Sequence, residues 1–328
     1  MRATRTLMLL VLVAMGLALA GLAQAEWKFS GYTQMRYNFW DNDLDKGDAF
    51  DIRRARIKAE GPVSEATTFK IQLDLAKLDD SGGGEVELKD LLLTRTINEQ
   101  WKGTLGFTSV PFGFEVPTSS SKRLPLERSQ AANKLFPGER DTGLYLHYTP
   151  ENKRAPGVVF GLSNGMAKWY EADKSGNEDT DSWALMARLQ WHLPNNGCAG
   201  LSYRLADRTR EVGGEDENYD DDLLGLHLRY NFPSNWALQA EYYDGTDMDV
   251  DESWWNGQAE YALSSCPVTV FYRHDVYDFG GTDDFTRHTI GGGWDFDKNE
   301  RVTVQIEDYD DGKGGSFTNG AVQYQIMY

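Results

Sequence analysis

Apolar and polar residues alternate along most of this chain with a period of two. Trp27, Phe29, Gly31, Thr33, Met35, Tyr37 and Phe39 share one face; Lys28, Ser30, Gln34, Arg36 and Asn38 share the other. Successive side chains of a strand point to opposite sides, so the run predicts a β-strand with one apolar face. The period returns at Phe69, Ile71, Leu73 and Leu75 against Lys70, Gln72 and Asp74. It returns at Trp183, Leu185, Ala187, Leu189 and Trp191 against Ser182, Arg188, Gln190 and His192. Residues 199–205, 224–231, 268–275 and 302–307 repeat it, and helical spacing fits none of these segments.

The connections alternate as well. Short ones at 61–64, 97–99, 150–156, 194–197, 233–235, 264–266 and 297–300 interleave with long ones, mostly acidic and Gly-rich, at 41–48, 79–85, 171–181, 210–222, 244–252, 278–284 and 308–315. The remaining long connection, 110–143, has no alternation, and Pro111, Pro117, Pro125 and Pro137 break any strand through it. The segments amount to about sixteen strands of about ten residues, the length that crosses a bilayer at a tilt. A two-sheet sandwich would bury the apolar face inside, whereas a membrane barrel turns it to lipid. Short turns on one side and long loops on the other favour the barrel. So do aromatics near strand ends, among them Trp27, Phe39, Tyr148, Trp183, Trp191, Tyr230, Phe232, Trp236 and Trp255. The predicted fold is all-β: a transmembrane antiparallel barrel spanning 26–328, with the third long loop folded inward.

One strand breaks register. Phe50 and Ile52 lie on one parity, Ala55, Ile57 and Ala59 on the other, and a bulge at Arg53-Arg54 repairs the pattern. A cation on the lipid face near mid-membrane costs about 2–4 kcal/mol, which places Arg54, Arg56 and Lys58 in the lumen. The insert at 110–143 carries Lys122, Arg123, Arg128, Lys134 and Arg140 in an otherwise acidic protein. Folded inward, it sets a constriction facing the same space as Arg54, Arg56 and Lys58. Rings of Arg and Lys in a pore select anions and phosphate. The plainer alternative pairs these cations with Glu115, Glu127 and Glu139 as an ordinary loop.

Charge and composition narrow the classes further. Residues 1–25 read as a secretory signal, with Arg2 and Arg5 ahead of an apolar run and Ala23-Gln24-Ala25 as the cleavage site. Arg2 and Arg5 leave with it and no acid does, so a net charge of −18 becomes −20. That acidity excludes nucleic acid as a partner. Acidic loops at the outer mouth oppose anion entry, but beyond a Debye length of about 8 Å they are largely screened from the constriction. Cys198 and Cys266 fall about four strands apart, well beyond the roughly 7 Å Cα limit of a bridge at about 4.8 Å per strand, so free thiols are expected. No cofactor or metal spacing is present. Val322, Tyr324, Ile326 and Tyr328 alternate to a terminal aromatic, which looks like the signal that the barrel assembly machinery reads.

The run Phe114-Glu115, Thr118-Ser119-Ser120-Ser121-Lys122, Pro125-Leu126-Glu127-Arg128-Ser129 and Ala131-Ala132 resembles the third-loop region of the phosphate-selective porin O and P family. Residues 50–61, with Arg53-Arg54-Ala55, are similar to that family's second strand. The resemblance implies a sixteen-stranded homotrimeric porin of the bacterial outer membrane, in which an arginine ladder and a loop lysine carry small anions. Lys122 matches the loop lysine, and Arg54 and Arg56 match part of the ladder; the acidic outer loops depart from the pattern.

Three other readings compete. A general or cation-preferring diffusion porin would share the pattern. A barrel hydrolase would need Gly161-Leu162-Ser163-Asn164-Gly165 as a nucleophile elbow, with His147 or His192 beside Ser163; that motif requires a strand, a sharp turn and a helix, and here a loop follows. Asp41-Asn42-Asp43-Leu44-Asp45-Lys46-Gly47 resembles a calcium loop, but its glycine is one place late and Ile52 replaces the closing Glu.

Overall fold

The computed structural model describes residues 26–41, 48–77, 84–136, 138–165, 182–212, 215–247, 250–278, 284–312 and 314–328. Residues 1–25, expected to be a signal, and 42–47 of the calcium-like run that starts at Asp41 lie outside them. The period-two pattern resolves into sixteen strands. These are β1 (Lys28–Asp41), β2 (Ala49–Ser64), β3 (Thr67–Asp74), β4 (Glu87–Thr96), β5 (Trp101–Ser109) and β6 (Arg140–Tyr148). Then come β7 (Gly157–Ser163), β8 (Trp183–Leu193), β9 (Gly197–Val212), β10 (Glu215–Asn231) and β11 (Trp236–Asp247). The last are β12 (Val250–Ala262), β13 (Val268–Asp278), β14 (Phe285–Asp295), β15 (Glu300–Asp310) and β16 (Ser316–Met327). Each pairs antiparallel with its sequence neighbours, and β1 closes on β16. Closure leaves no strand edge, the condition for a sheet whose backbone has only hydrocarbon outside.

Which face looks inward is decided by exposure. Leu185, Leu226 and Val304 are 46%, 45% and 46% exposed, while Gln34, Arg273 and Gln305 are 1%, 0% and 3%. Apolar side chains therefore face out and polar ones in, the reverse of a soluble sandwich. Paired aromatics ring the short-turn end: Trp101 with Tyr148 and Trp236 with Tyr261, ring centroids 4.9 and 4.8 Å apart.

The bulge forms where the broken parity placed it. Gln34 pairs with Arg54 and Met35 with Ile52, so Arg53 is the extra residue of β2. Other boundaries differ from the sequence reading. The acidic stretches 210–222 and 244–252, read as loops, are largely strand: Glu215 pairs with Val212 and Asp247 with Val250. A strand that has left the bilayer has no lipid face, so its sequence need not alternate. The long insert also ends earlier than 143, because β6 already begins at Arg140.

Cys198 is buried in β9 and Cys266 is exposed in the turn before β13; both are free thiols. Tyr328 is tied back to β1, its backbone exchanging hydrogen bonds with Gly31 at 2.7 and 3.1 Å.

Candidate functional site

Residues 110–139 leave β5 and cross the inside of the barrel before β6. Their apolar side chains have no lipid to face, so they make a core of their own. Val110, Phe112, Val116, Ala131, Ala132 and Phe136 pack on Tyr145, Met186, Leu223, Tyr243, Trp254 and Tyr277 of the wall. Burying a side chain of the Val, Leu or Phe class contributes about 1.5–3 kcal/mol. Phe112 fits only because β10 carries Gly225 there: a Cβ at Gly225 would lie 2.6 Å from its ring. Gly113 turns the chain at φ 60°, where a side chain would meet Tyr243 and Glu241. A short helix, α1 (Gln130–Leu135), follows, capped by Ser129, whose Oγ accepts from Ala132 N at 3.2 Å.

Polar latches fix the rest. Glu241 of β11 accepts the backbone N–H groups of Phe114 and Glu115 at 3.1 and 2.9 Å. Glu115 in turn accepts from Ser129 N at 2.9 Å and from Arg273 at 3.3 Å. Arg273 and Arg287 also donate to the carbonyls of Glu127 and Arg128, at 2.9 and 2.7 Å. Across the lumen Tyr32 Oη meets Ser120 Oγ at 2.6 Å, Gln325 donates to Ser121 O at 3.1 Å, and Leu126 N donates to Gln305 at 2.9 Å. The loop is thus bound to both sides of the barrel.

Charge concentrates where the loop meets β1 and β2. Glu127 Oε1 accepts from Arg36 at 2.9 Å and from Arg53 at 2.7 Å, and Oε2 accepts from Arg54 at 2.9 Å. Burial alone would raise the Glu127 carboxyl, but Arg54, Arg53 and Arg36 hold it well below the usual carboxylate range. Arg123 is different. Its three guanidinium nitrogens are buried and find no hydrogen-bond partner among the described residues. Burial, with Arg54 close by, pushes Arg123 down to about 10. Four guanidiniums therefore surround one carboxylate, and one of the four is unneutralised.

The other residues singled out from sequence fall in several places. Arg56 pairs with Asp74 at 2.8 Å, Lys58 lies 3.5 Å from Glu60, and Arg140 pairs with Asp90 at 3.0 Å. Arg128 is buried inside the loop, holding the carbonyls of Glu115, Val116 and Thr118 and the Glu139 carboxylate. Lys122 is exposed beside Arg123, whereas Lys134 is exposed on α1, which packs on β12 and β13 away from Arg54. Of the loop cations, Arg128 and Arg140 pair with Glu139, whereas Glu115 and Glu127 are held by arginines of the wall. Arg36, Arg53, Arg273, Arg287 and Glu127 complete the site; the sequence marks Arg53 only as a bulge residue and Glu127 only as a loop counter-charge, and gives the other three no place in a site. Arg36 and Arg273 could have been given one, since both stand on the polar parity of alternating strands.

Ser163 pairs with Gly143 and His147 with Val159, four residues along the same ladder, about 13 Å away. His192 is exposed near the turn end of β8. The structure brings neither histidine to Ser163. Among the described residues no group of three or more His, Cys, Asp or Glu could hold a metal ion.

The fold matches solved outer-membrane channels. OmpT of Vibrio cholerae with loop L8 deleted superposes with a TM-score of 0.66 at 13% identity, covering 93% of this chain and 99% of that one. An anion-selective porin from Comamonas acidovorans gives 0.66 at 13% identity over 93% and 100% of the two chains. The outer membrane channel DcaP of Acinetobacter baumannii gives 0.67 at 13% identity over 94% and 98%. No curated protein matches the sequence. Residues 30–265 match the signature of the phosphate-selective porins O and P, a span that runs from β1 through the inward-folded loop to the turn after β12. This chain belongs to the phosphate-selective porin O and P family.

Proposed function

We infer that the protein is a porin of the bacterial outer membrane whose constriction passes small anions, phosphate among them, by passive diffusion. The observation that carries this reading is the guanidinium of Arg123, which makes no hydrogen bond among the described residues and lies within electrostatic reach of Arg54 where the loop meets β1 and β2. Taking a charge out of water costs several kcal/mol unless something compensates it. A lumenal cation left in that state favours an anion at that point and repels a cation. The family, and the anion selectivity of the Comamonas acidovorans porin, support the same sign. The same resemblance supports a channel rather than a hydrolase, a leader at 1–25 and assembly as a homotrimer in outer-membrane lipid, OmpT having a trimer form.

The rival is a cation-preferring porin, favoured by the acidic total of the chain. Reversal potential in a salt gradient separates the two, since its sign reports the favoured ion. The expected sign is that of the anion. A unit charge about 7 Å from a passing ion, at a dielectric near 80, is worth about 0.6 kcal/mol, about threefold. Arg123→Ala is therefore expected to lower the anion-to-cation permeability ratio by about threefold or more. A cationic sign in the wild type rejects the reading.

A further inference from the structure

The carboxylate of Glu127 stands where a permeant anion has most to gain. Its two oxygens take three charge-assisted hydrogen bonds, from Arg36 and Arg53 to Oε1 and from Arg54 to Oε2. The cradle is built on the wall, by β1 and β2, and the bulge in β2 is what brings Arg53 to the lumenal side beside Arg54. Its occupant is not: Glu127 rides on the loop and is part exposed. Each guanidinium gives one hydrogen bond, so three separate charged donors converge on the two oxygens of one carboxylate. The site is thus shaped around a carboxylate that the protein itself provides. Beside it, within electrostatic reach of both Arg54 and Glu127, lies the unpartnered guanidinium of Arg123.

We propose that Glu127 is a tethered counter-anion that fills the cradle between permeation events, and that small carboxylate solutes pass by taking its place. The proposal rests on the anion-porin reading above. An incoming carboxylate approaches at Arg53, the exposed member of the cradle, exchanges with the Glu127 side chain on Arg36, Arg53 and Arg54, and leaves as Glu127 returns. No bond is made or broken, and the charge in the cradle is the same before and after. The tether serves conduction. A linked ligand acts at an effective concentration in the millimolar range, so a free carboxylate holds the cradle only weakly. Binding must be favourable enough to enter and weak enough to leave.

The test is block of chloride current by acetate and by phosphate in planar bilayers. Glu127→Ala empties the cradle, and acetate is expected to block at concentrations about tenfold lower than in the wild type, the worth of one charge-assisted hydrogen bond. Adding Arg53→Gln to Glu127→Ala is expected to return the acetate constant toward the wild-type value, which a merely loosened loop would not do. An unchanged acetate constant in Glu127→Ala, in a channel whose wild type is anion-selective, overturns the tether. Phosphate gaining more than acetate overturns the carboxylate preference. A wild type of cationic sign rejects the anion reading instead, so the two failures are told apart.

Discussion

Arg273 does the most work of any single side chain in holding the loop. It is fully buried and donates to the Glu115 carboxylate, to Asp275 at 3.1 Å and to two loop carbonyls. Breaking a buried pair leaves an uncompensated charge and costs about 3–5 kcal/mol. Arg273→Ala is therefore expected to leave the barrel folded, since strand pairing does not pass through this side chain, but to free the loop. Single-channel traces should show a larger conductance with excess open-channel noise, and protease should cut within residues 110–139. Arg273→Lys should resemble Arg273→Ala, because an ammonium cannot present the fork that reaches Glu115 and the carbonyls together. A quiet channel of wild-type conductance would contradict this role. Much at this scale was legible beforehand. The parity change around Arg53 gave the bulge, and the lipid penalty on charge placed Arg54 and Arg56 inside. What parity cannot give is who meets whom across the lumen. Glu127 reaches Arg36 and Arg54 over separations of 91 and 73 residues, and only the closed barrel with its crossing loop sets those distances.

The loop itself was legible as an element by what it lacks: prolines and missing alternation between two alternating strands. Its seat was not. The sequence reading gave it a cationic interior face, but the loop also seats an apolar core on the wall, Phe112 among it. Nothing in a lone Gly225 on β10, far along the chain from Phe112, marks it as the socket for that ring. Gly225→Leu would fill the socket, and overpacking of this kind costs about 1–3 kcal/mol. The expected result is an altered conductance from a displaced loop. Gly257→Ala is the control, for a Cβ there meets nothing nearer than the Trp255 ring at 3.8 Å, on the outer face, and should behave as wild type. Equal effects in the two variants would show that Phe112 is not anchored at Gly225. The outer ends of the hairpins β9–β10 and β11–β12 escaped the reading for the opposite reason. Alternation marks only the part of a strand with lipid on one side, so the measure that found the barrel wall was blind above it.

At the scale of the molecule a surplus of positive charge is local to one cluster: elsewhere in the lumen arginines meet carboxylates, as Arg56 meets Asp74 and Arg287 meets Asp275. The chain carries a net −18, yet the loop meets β1 and β2 in a cluster of four guanidiniums around one carboxylate. Acids such as Asp244, Asp251, Asp284, Asp308, Asp310 and Asp311 stand instead at strand ends beside the long connections. Ion preference should then depend on salt in an unusual direction. At about 0.01 M the Debye length is near 30 Å, long enough for the acidic rim to repel an anion on its approach; at about 0.15 M it is near 8 Å, and the rim acts only locally. Charges in the constriction sit within a few ångströms of the ion with protein around them, so salt weakens their hold far less. Measured at a fixed concentration ratio across the membrane, the reversal potential should accordingly become more anionic as mean salt rises from about 0.01 M to about 0.15 M. Neutralising Asp308 and Asp310 together should flatten that rise while leaving the potential at the higher salt unchanged. If anion preference instead falls steadily as salt is added, the rim and the constriction are not separate electrostatic regions, and net charge, not local sign, governs entry.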